Sequence, residues 1–161
     1  MLKRVKNAGG RIGKIALLIF AGTFSPEAAQ SSPAPVLDLS AYRGKVIYLD
    51  FWASWCAPCL QSFPWMNEIQ RTFGRQGLTV IAVNVDRDGN MARQFLRGKI
   101  PEFKIVYDPD GAIAKQYDLK DMPTTFLIGQ DGKIRYVHSG FYLNRESQYV
   151  SHIRELLNEV R

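Results

Sequence analysis

Two stretches of this chain are apolar at nearly every position. Val46-Ile47-Tyr48-Leu49-Asp50-Phe51-Trp52 and Leu78-Thr79-Val80-Ile81-Ala82-Val83-Asn84-Val85 mix β-branched and aromatic residues with almost no polar break. Such runs predict strands buried on both faces of a sheet. Between them the pattern predicts a helix over 57–73. Pro58 falls near its first position, where a missing N–H costs little. Pro64 should kink it, and Gly74 should end it. Strand, helix, strand in this order is a parallel crossover, right-handed by rule. Further on, the spacing predicts a short helix over 91–97 closed by Gly98, a short strand over 104–107, a turn at Asp108-Pro109-Asp110-Gly111 and a short helix over 112–117. Gly129-Gln130-Asp131-Gly132 is flanked by the segments 124–128 and 133–138, which is a hairpin signal. Tyr149, Ile153, Leu156, Leu157 and Val160 recur at helical spacing within a last helix over 145–160. The order is βαβ, an inserted helix and strand, then ββα. It predicts an α/β fold with a mixed central sheet flanked by helices.

Composition adds one feature to this picture. The chain has 161 residues and a net charge of +6, but the charge is unevenly placed. Lys3, Arg4, Lys6, Arg11 and Lys14 stand against Glu27 alone in the first thirty residues, which leaves only +2 for the rest. No basic face and no nucleic-acid motif accompanies it, so nucleic acid is not an expected partner. The basic segment is followed by the apolar run from Ile15 to Phe24. Ten such residues are too few to span roughly 30 Å of hydrocarbon as a helix, and the pattern reads as an export leader. The expected organisation is a signal peptide or membrane anchor over 1–29, a Pro/Ser/Ala-rich linker over 30–35 and one folded domain over 36–161. The expected compartment is the periplasm or another extracytoplasmic space, with the inner membrane as tether if the leader stays uncleaved.

Export changes the meaning of the cysteines. The chain has two, Cys56 and Cys59, directly after the first buried strand and at the start of the first helix. Disulfides persist outside the cytoplasm. A pair two residues apart closes so small a loop that it makes a poor structural staple. It reads instead as a reactive pair. At a helix start, the free N–H groups and the dipole favour a thiolate at Cys56, the attacking species in disulfide exchange. Cys59, one turn inward, would resolve the resulting mixed disulfide. Ala57 and Pro58 set the turn without adding charge. The competing reading is half a zinc site, but one Cys pair supplies two of the four ligands a structural zinc needs. His138 and His152 show no ligand spacing. No metal and no cofactor is expected.

Three further positions carry candidate chemistry. Asp50 interrupts the first apolar strand and, by alternation, shares a face with Tyr48 and Trp52. A carboxyl buried there would have a raised pKa and could take and return the proton of Cys59. Its alternative is an Asp turned to water at the strand end. Pro123 precedes the hairpin. A cis Met122–Pro123 bond would present the Met122 backbone for strand-like pairing with a substrate segment, although a Pro before a strand is commonly trans. Phe51, Trp52, Trp55, Phe63 and Trp65 cluster in sequence around the thiols. Most of these belong to the expected core, and Trp55 is the candidate for an exposed apolar contact. Trp55, Ala57, Pro58, Met122 and Pro123 are therefore the expected substrate-contacting set.

Taken together, Asp50-Phe51-Trp52-Ala53-Ser54-Trp55-Cys56-Ala57-Pro58-Cys59, Pro64 within the helix and Met122-Pro123-Thr124 before the hairpin resemble the thioredoxin superfamily over about residues 36–161. The 38 residues between Asn84 and Pro123, longer than in ordinary thioredoxins, and Ser40-Ala41-Tyr42-Arg43-Gly44-Lys45 resemble its TlpA/ResA branch of exported or tethered thiol–disulfide oxidoreductases. The resemblance implies a thioredoxin fold with a helix–strand insertion before a cis-proline at Pro123. It implies Cys56 as nucleophile and Cys59 as resolving thiol. It further implies disulfide-bearing client proteins, as in cytochrome c or copper-oxidase assembly, and a membrane-embedded thiol electron donor. A monomer is expected. Three departures stand out. Asp50 occupies a position where that branch often has Asn. Ala82 replaces the Lys that often neighbours this Asp in thioredoxins. The segment before the first core strand is short. A thiol peroxidase, a copper-binding assembly factor and an interaction module with incidental thiols remain alternatives. The residues before Cys56 do not match a peroxidatic pattern, and copper carriers of this type use a Cys-x-x-x-Cys spacing with a His.

Overall fold

The computed structural model describes residues 37–159. The expected leader and linker, Val36, and Val160 and Arg161 at the other end lie outside the described residues. Strand β1 (Val46–Trp52) has no exposed position. It is the middle of a five-stranded sheet of order β3-β2-β1-β4-β5. β2 (Leu78–Asn84) runs parallel to β1, and β3 (Lys104–Tyr107) runs parallel to β2. β4 (Thr124–Ile128) lies antiparallel on the other edge of β1, and β5 (Ile134–Ser139) is antiparallel to β4. The parallel half follows from the helical crossover and the antiparallel half from the Gly129–Gly132 turn, where Gly132 takes a φ of 81°.

The two-residue period of β1 divides the core. Val46, Tyr48 and Trp52 join one apolar layer, together with Met66 and Ile69 of helix α1 (Ala57–Phe73) and Tyr149, Ile153 and Leu156 of helix α4 (Glu146–Asn158). Ile47, Leu49 and Phe51 join the opposite layer with Ile81, Val83, Phe126, Ile128 and Ile113, the last from the short helix α3 (Ala112–Gln116). Phe51 was expected among the aromatics around the thiols. It lies instead on the far side of the sheet, because an odd offset from Trp52 reverses its direction. There it packs on Tyr117 and Phe126 at 5.7 Å between ring centroids. Trp52 packs edge-on against Phe63 at 4.8 Å, in the layer that holds both cysteines.

Element ends depart from expectation where a polar cap or a left-handed residue decides them. α1 ends at Phe73, but Gly74 stays right-handed and begins a 3-10 turn through Gln76. The chain reverses only at Gly77, whose φ of 111° suits a residue without a Cβ. Helix α2 (Gly89–Leu96) starts two residues earlier than its apolar pattern indicates, because the Asp88 carboxylate accepts from Asn90 N–H at 2.9 Å. No strand precedes β1 among the described residues. A 3-10 turn, Ser40–Tyr42, stands there.

In the inserted segment, buried Asp108 takes the N–H groups of Ile113 and Ala114 at 3.1 and 2.8 Å and so caps α3. Asp108→Ala should lower unfolding free energy by about 1–2 kcal/mol, as loss of a capping carboxylate does. Urea denaturation with an unchanged slope checks this, and unaltered stability would contradict the capping role.

Candidate active site

The site forms where β1 and β2 end, at the carboxyl edge of the parallel strands, a usual place for chemistry in open α/β sheets. β1 stops at Trp52 and the chain turns once: the Cys56 N–H bonds to the Ala53 carbonyl at 3.1 Å. Cys56 then caps α1 in extended conformation, with Pro58 in the first turn. The turn is held from below by Asp86. This almost fully buried carboxylate accepts from Ser54 N–H at 3.0 Å, from Ser54 Oγ at 3.1 Å and from Asn84 Nδ2 at 2.8 Å. Sequence reasoning passed over Asn84 and Asp86. Two polar residues at the end of an otherwise apolar strand were the available signal, since buried polar groups need partners.

Cys56 and Cys59 form a disulfide with Cα atoms 5.3 Å apart. Cys59 is wholly buried and Cys56 keeps 6% of its surface exposed, so Cys56 is the less enclosed of the two. Ala57 and Pro58 between them are exposed, and Trp55 stands 64% exposed beside Cys56. The Met122–Pro123 bond is cis. Pro123 is buried and bonds through its carbonyl to the Gly140 N–H at 2.7 Å, while half-buried Met122 packs on the apolar layer that contains the cysteines. The expected substrate-contacting residues thus fall into exposed Trp55, Ala57 and Pro58 and the more enclosed Met122 and Pro123. Phe63 and Trp65 are buried core residues.

Asp50 is 1% exposed and faces the same layer as Tyr48 and Trp52. The alternative of a water-facing Asp is thereby excluded. Its Oδ1 accepts from Thr125 Oγ1 at 2.7 Å, and its Oδ2 is buried without a hydrogen-bond partner. Burial pushes its pKa from 3.8 up to about 7, and the Thr125 hydrogen bond offsets only part of that. Ala82 sits directly beside Asp50 in the β1–β2 register, where a lysine would have pulled the pKa down. The carboxyl is thus poised to exchange a proton near neutral pH.

Sequence spacing gave no placement for His138 and His152. The structure brings them together, with His138 Nε2 3.0 Å from His152 Nδ1. His138 is an inward position of β5 by alternation, and His152 lies one turn after Tyr149 on α4. Separate periodicities could not reveal that the two elements meet there. Burial and the neighbouring His152 hold His138 down to about 4.

Comparison with known proteins agrees with this geometry. The redoxin family profile matches residues 21–153. The thiol-disulfide oxidoreductase ResA of Bacillus subtilis is 35% identical over 130 residues, which cover 76% of this chain and 73% of that one. ResA of Geobacillus kaustophilus is 36% identical over 63% of this chain, a match that spans 59% of the relative's own length. Among solved structures, a protein assigned as the thiol:disulfide interchange protein DsbE of Chlorobium tepidum superposes with a TM-score of 0.73 at 43% identity, covering 76% of this chain and 86% of that one.

The raised pKa of Asp50 makes a stability prediction. Between pH 3.8 and about 7 the folded protein holds a proton at Asp50 that the unfolded chain has lost. Stability should therefore fall with rising pH across that window, at up to ~1.4 kcal/mol per pH unit from this group. His138 contributes the opposite slope between about 4 and 6.5, because its folded pKa is depressed. Asp50→Asn removes the first effect and keeps the second. The stability of the variant relative to the parent should climb from pH 4 to 7 and level off above. A difference independent of pH in denaturant titrations would contradict a buried, protonated Asp50.

Proposed function

Because the chain belongs to the redoxin family and is a ResA-like thiol–disulfide oxidoreductase of thioredoxin fold, we propose that it works outside the cytoplasm as a reductase of disulfides in a few client proteins. The observation that carries this reading is the asymmetry of the disulfide. Cys56 keeps a small exposed fraction at the head of α1 amid exposed Trp55, Ala57 and Pro58, and Cys59 is wholly enclosed.

In the reducing direction the dithiol form acts first. The Cys56 thiolate, favoured by the first-turn N–H groups of α1, attacks one sulfur of a client disulfide. The client S–S bond breaks, a mixed disulfide forms and one client thiolate leaves. Cys59 then gives its proton to Asp50 and attacks Cys56 Sγ. The second client sulfur departs as a thiolate that takes its proton from solvent, and the Cys56–Cys59 disulfide seen in the structure results. Two electrons have passed to the client, and a membrane-embedded dithiol donor restores them. Trp55, Ala57, Pro58 and the Met122–Pro123 segment would line the docked client chain.

The reducing direction is supported by the uncharged Ala57-Pro58 dipeptide, which lacks the histidine of strongly oxidising pairs. Export is supported by the basic, apolar leader. Clients in cytochrome c or oxidase assembly are what the resemblance to the TlpA/ResA branch implies. A leader left uncleaved would tether the domain to the inner membrane.

Cys59→Ser should accumulate covalent client adducts in cells, released by dithiothreitol, because the resolving thiol is gone. A Cys56→Ser, Cys59→Ser double variant should show none. Equilibration of the parent with glutathione buffers should place the couple near the thioredoxin value of about −270 mV rather than the DsbA value of about −120 mV. An oxidising value, or an absence of adducts, would overturn the reductase reading.

A further inference from the structure

One transverse row crosses the sheet at Asp50. The register sets Ala82 of β2 on one side of it and Thr125 of β4 on the other, and sets His138 of β5 beside Thr125. Residues directly opposed across strands project to the same face. Asp50, Thr125 and His138 therefore stand in line, and His152 of α4 meets the end of the line at 3.0 Å. Four polar side chains in a row are an expensive thing to place under a helix in an apolar layer.

The two sides of Asp50 differ. Towards β2 lies Ala82, fully buried and without a polar side-chain atom. Towards β4 lies the Thr125 hydroxyl at 2.7 Å. Beyond it are the two histidines, of which His152 is partly exposed on α4. Two buried atoms in this row lack hydrogen-bond partners, Asp50 Oδ2 and His138 Nδ1. Neighbouring rings fix the row's geometry. Tyr136 stacks on His152 with 3.8 Å between centroids, Tyr149 lies 4.8 Å from His138, and Tyr48 OH is 3.4 Å from Thr125 Oγ1. Glu155 engages Tyr136 at the outer end.

We propose that the proton exchanged at Asp50 travels to and from solvent through Thr125, His138 and His152. The proposal rests on the reading of Asp50 as the proton acceptor of Cys59. Once protonated, Asp50 donates to Thr125 Oγ1, and the Thr125 hydroxyl proton moves on to His138 Nδ1. That link spans one cross-strand pair; His138 Nδ1 makes no hydrogen bond of its own, so the transfer requires one bridging water there. His138 releases its Nε2 proton to His152 Nδ1, and His152 gives its Nε2 proton to solvent. Thr125, His138 and His152 each take one proton and pass one, and the cycle returns Asp50 to the carboxylate that receives the next Cys59 proton. A His138 held well below its ordinary pKa suits the task, because it stays neutral between transfers.

The test is single-turnover reduction of a synthetic peptide carrying one disulfide, with rapid quenching to separate attack by Cys56 from resolution by Cys59. Thr125→Val keeps the side-chain shape and removes the hydroxyl, and His152→Ala removes the solvent end on a partly exposed helix position. Both should slow resolution at least about ten-fold, a modest share of what positioned proton transfer contributes, with the first attack unchanged. Thr125→Ser should keep the parent rate, and added imidazole should restore the His152→Ala rate by replacing the missing ring. If both variants resolve at the parent rate while Asp50→Asn is slow, the row is overturned and Asp50 keeps its role. If Asp50→Asn also resolves at the parent rate, the row and the underlying reading of Asp50 both fall.

Discussion

The complete burial of β1 is the constraint on which the site depends. The strand has a hydrogen-bonded neighbour on each edge and an apolar layer on each face, so water reaches none of its side chains. A carboxyl at position 50 cannot ionise there at ordinary carboxylate pH without losing its hydration, and one hydroxyl hydrogen bond does not replace it. The same strand ends at Trp52, and the single turn that follows delivers Cys56 to the surface at the head of α1. Core packing thus places Asp50 in the interior of β1 and Cys56 one turn beyond the end of that strand.

That arrangement separates the two flows of thiol–disulfide chemistry. In the proposed mechanism electrons move at Cys56, and a client chain would approach past the exposed Trp55 and Pro58. In the same mechanism the Cys59 proton is handled within the layer, where burial favours the neutral form of the Asp50 carboxyl. Asp86 serves the first flow by holding the Ser54 turn. Thr125 serves the second by contacting Asp50. The absence of a lysine at position 82 removes a charge that would otherwise lower the pKa of Asp50 and leaves polar contacts only on the β4 side.

Much of the fold could be read from the chain because its strongest signals are local. Unbroken apolar runs marked β1 and β2, a glycine-flanked turn marked the β4–β5 hairpin, and two cysteines at a helix start marked the site. Alternation along β1 placed Asp50 on its correct face, and the same rule, applied to Phe51, would have removed it from the aromatics near the thiols. What escaped notice depends on contacts between distant segments. Asp86 acquires meaning only when β2 lies beside the turn after β1. The histidines at 138 and 152 meet only because α4 crosses the inner face of β5, and no spacing within either element encodes that. Helix ends shifted where a side chain such as Asp88 supplied a cap that apolar periodicity does not register.

The most direct test of the account is a titration of the Asp50 side chain by carboxyl-carbon NMR, in the disulfide form and again in the dithiol form, with Asp50→Asn used to assign the signal. The account predicts a midpoint near 7 in the disulfide form, well above the ordinary 3.8, and a different midpoint once Cys59 bears a proton that the carboxyl can share. An Asp50 that ionises near 4 in both forms would contradict it.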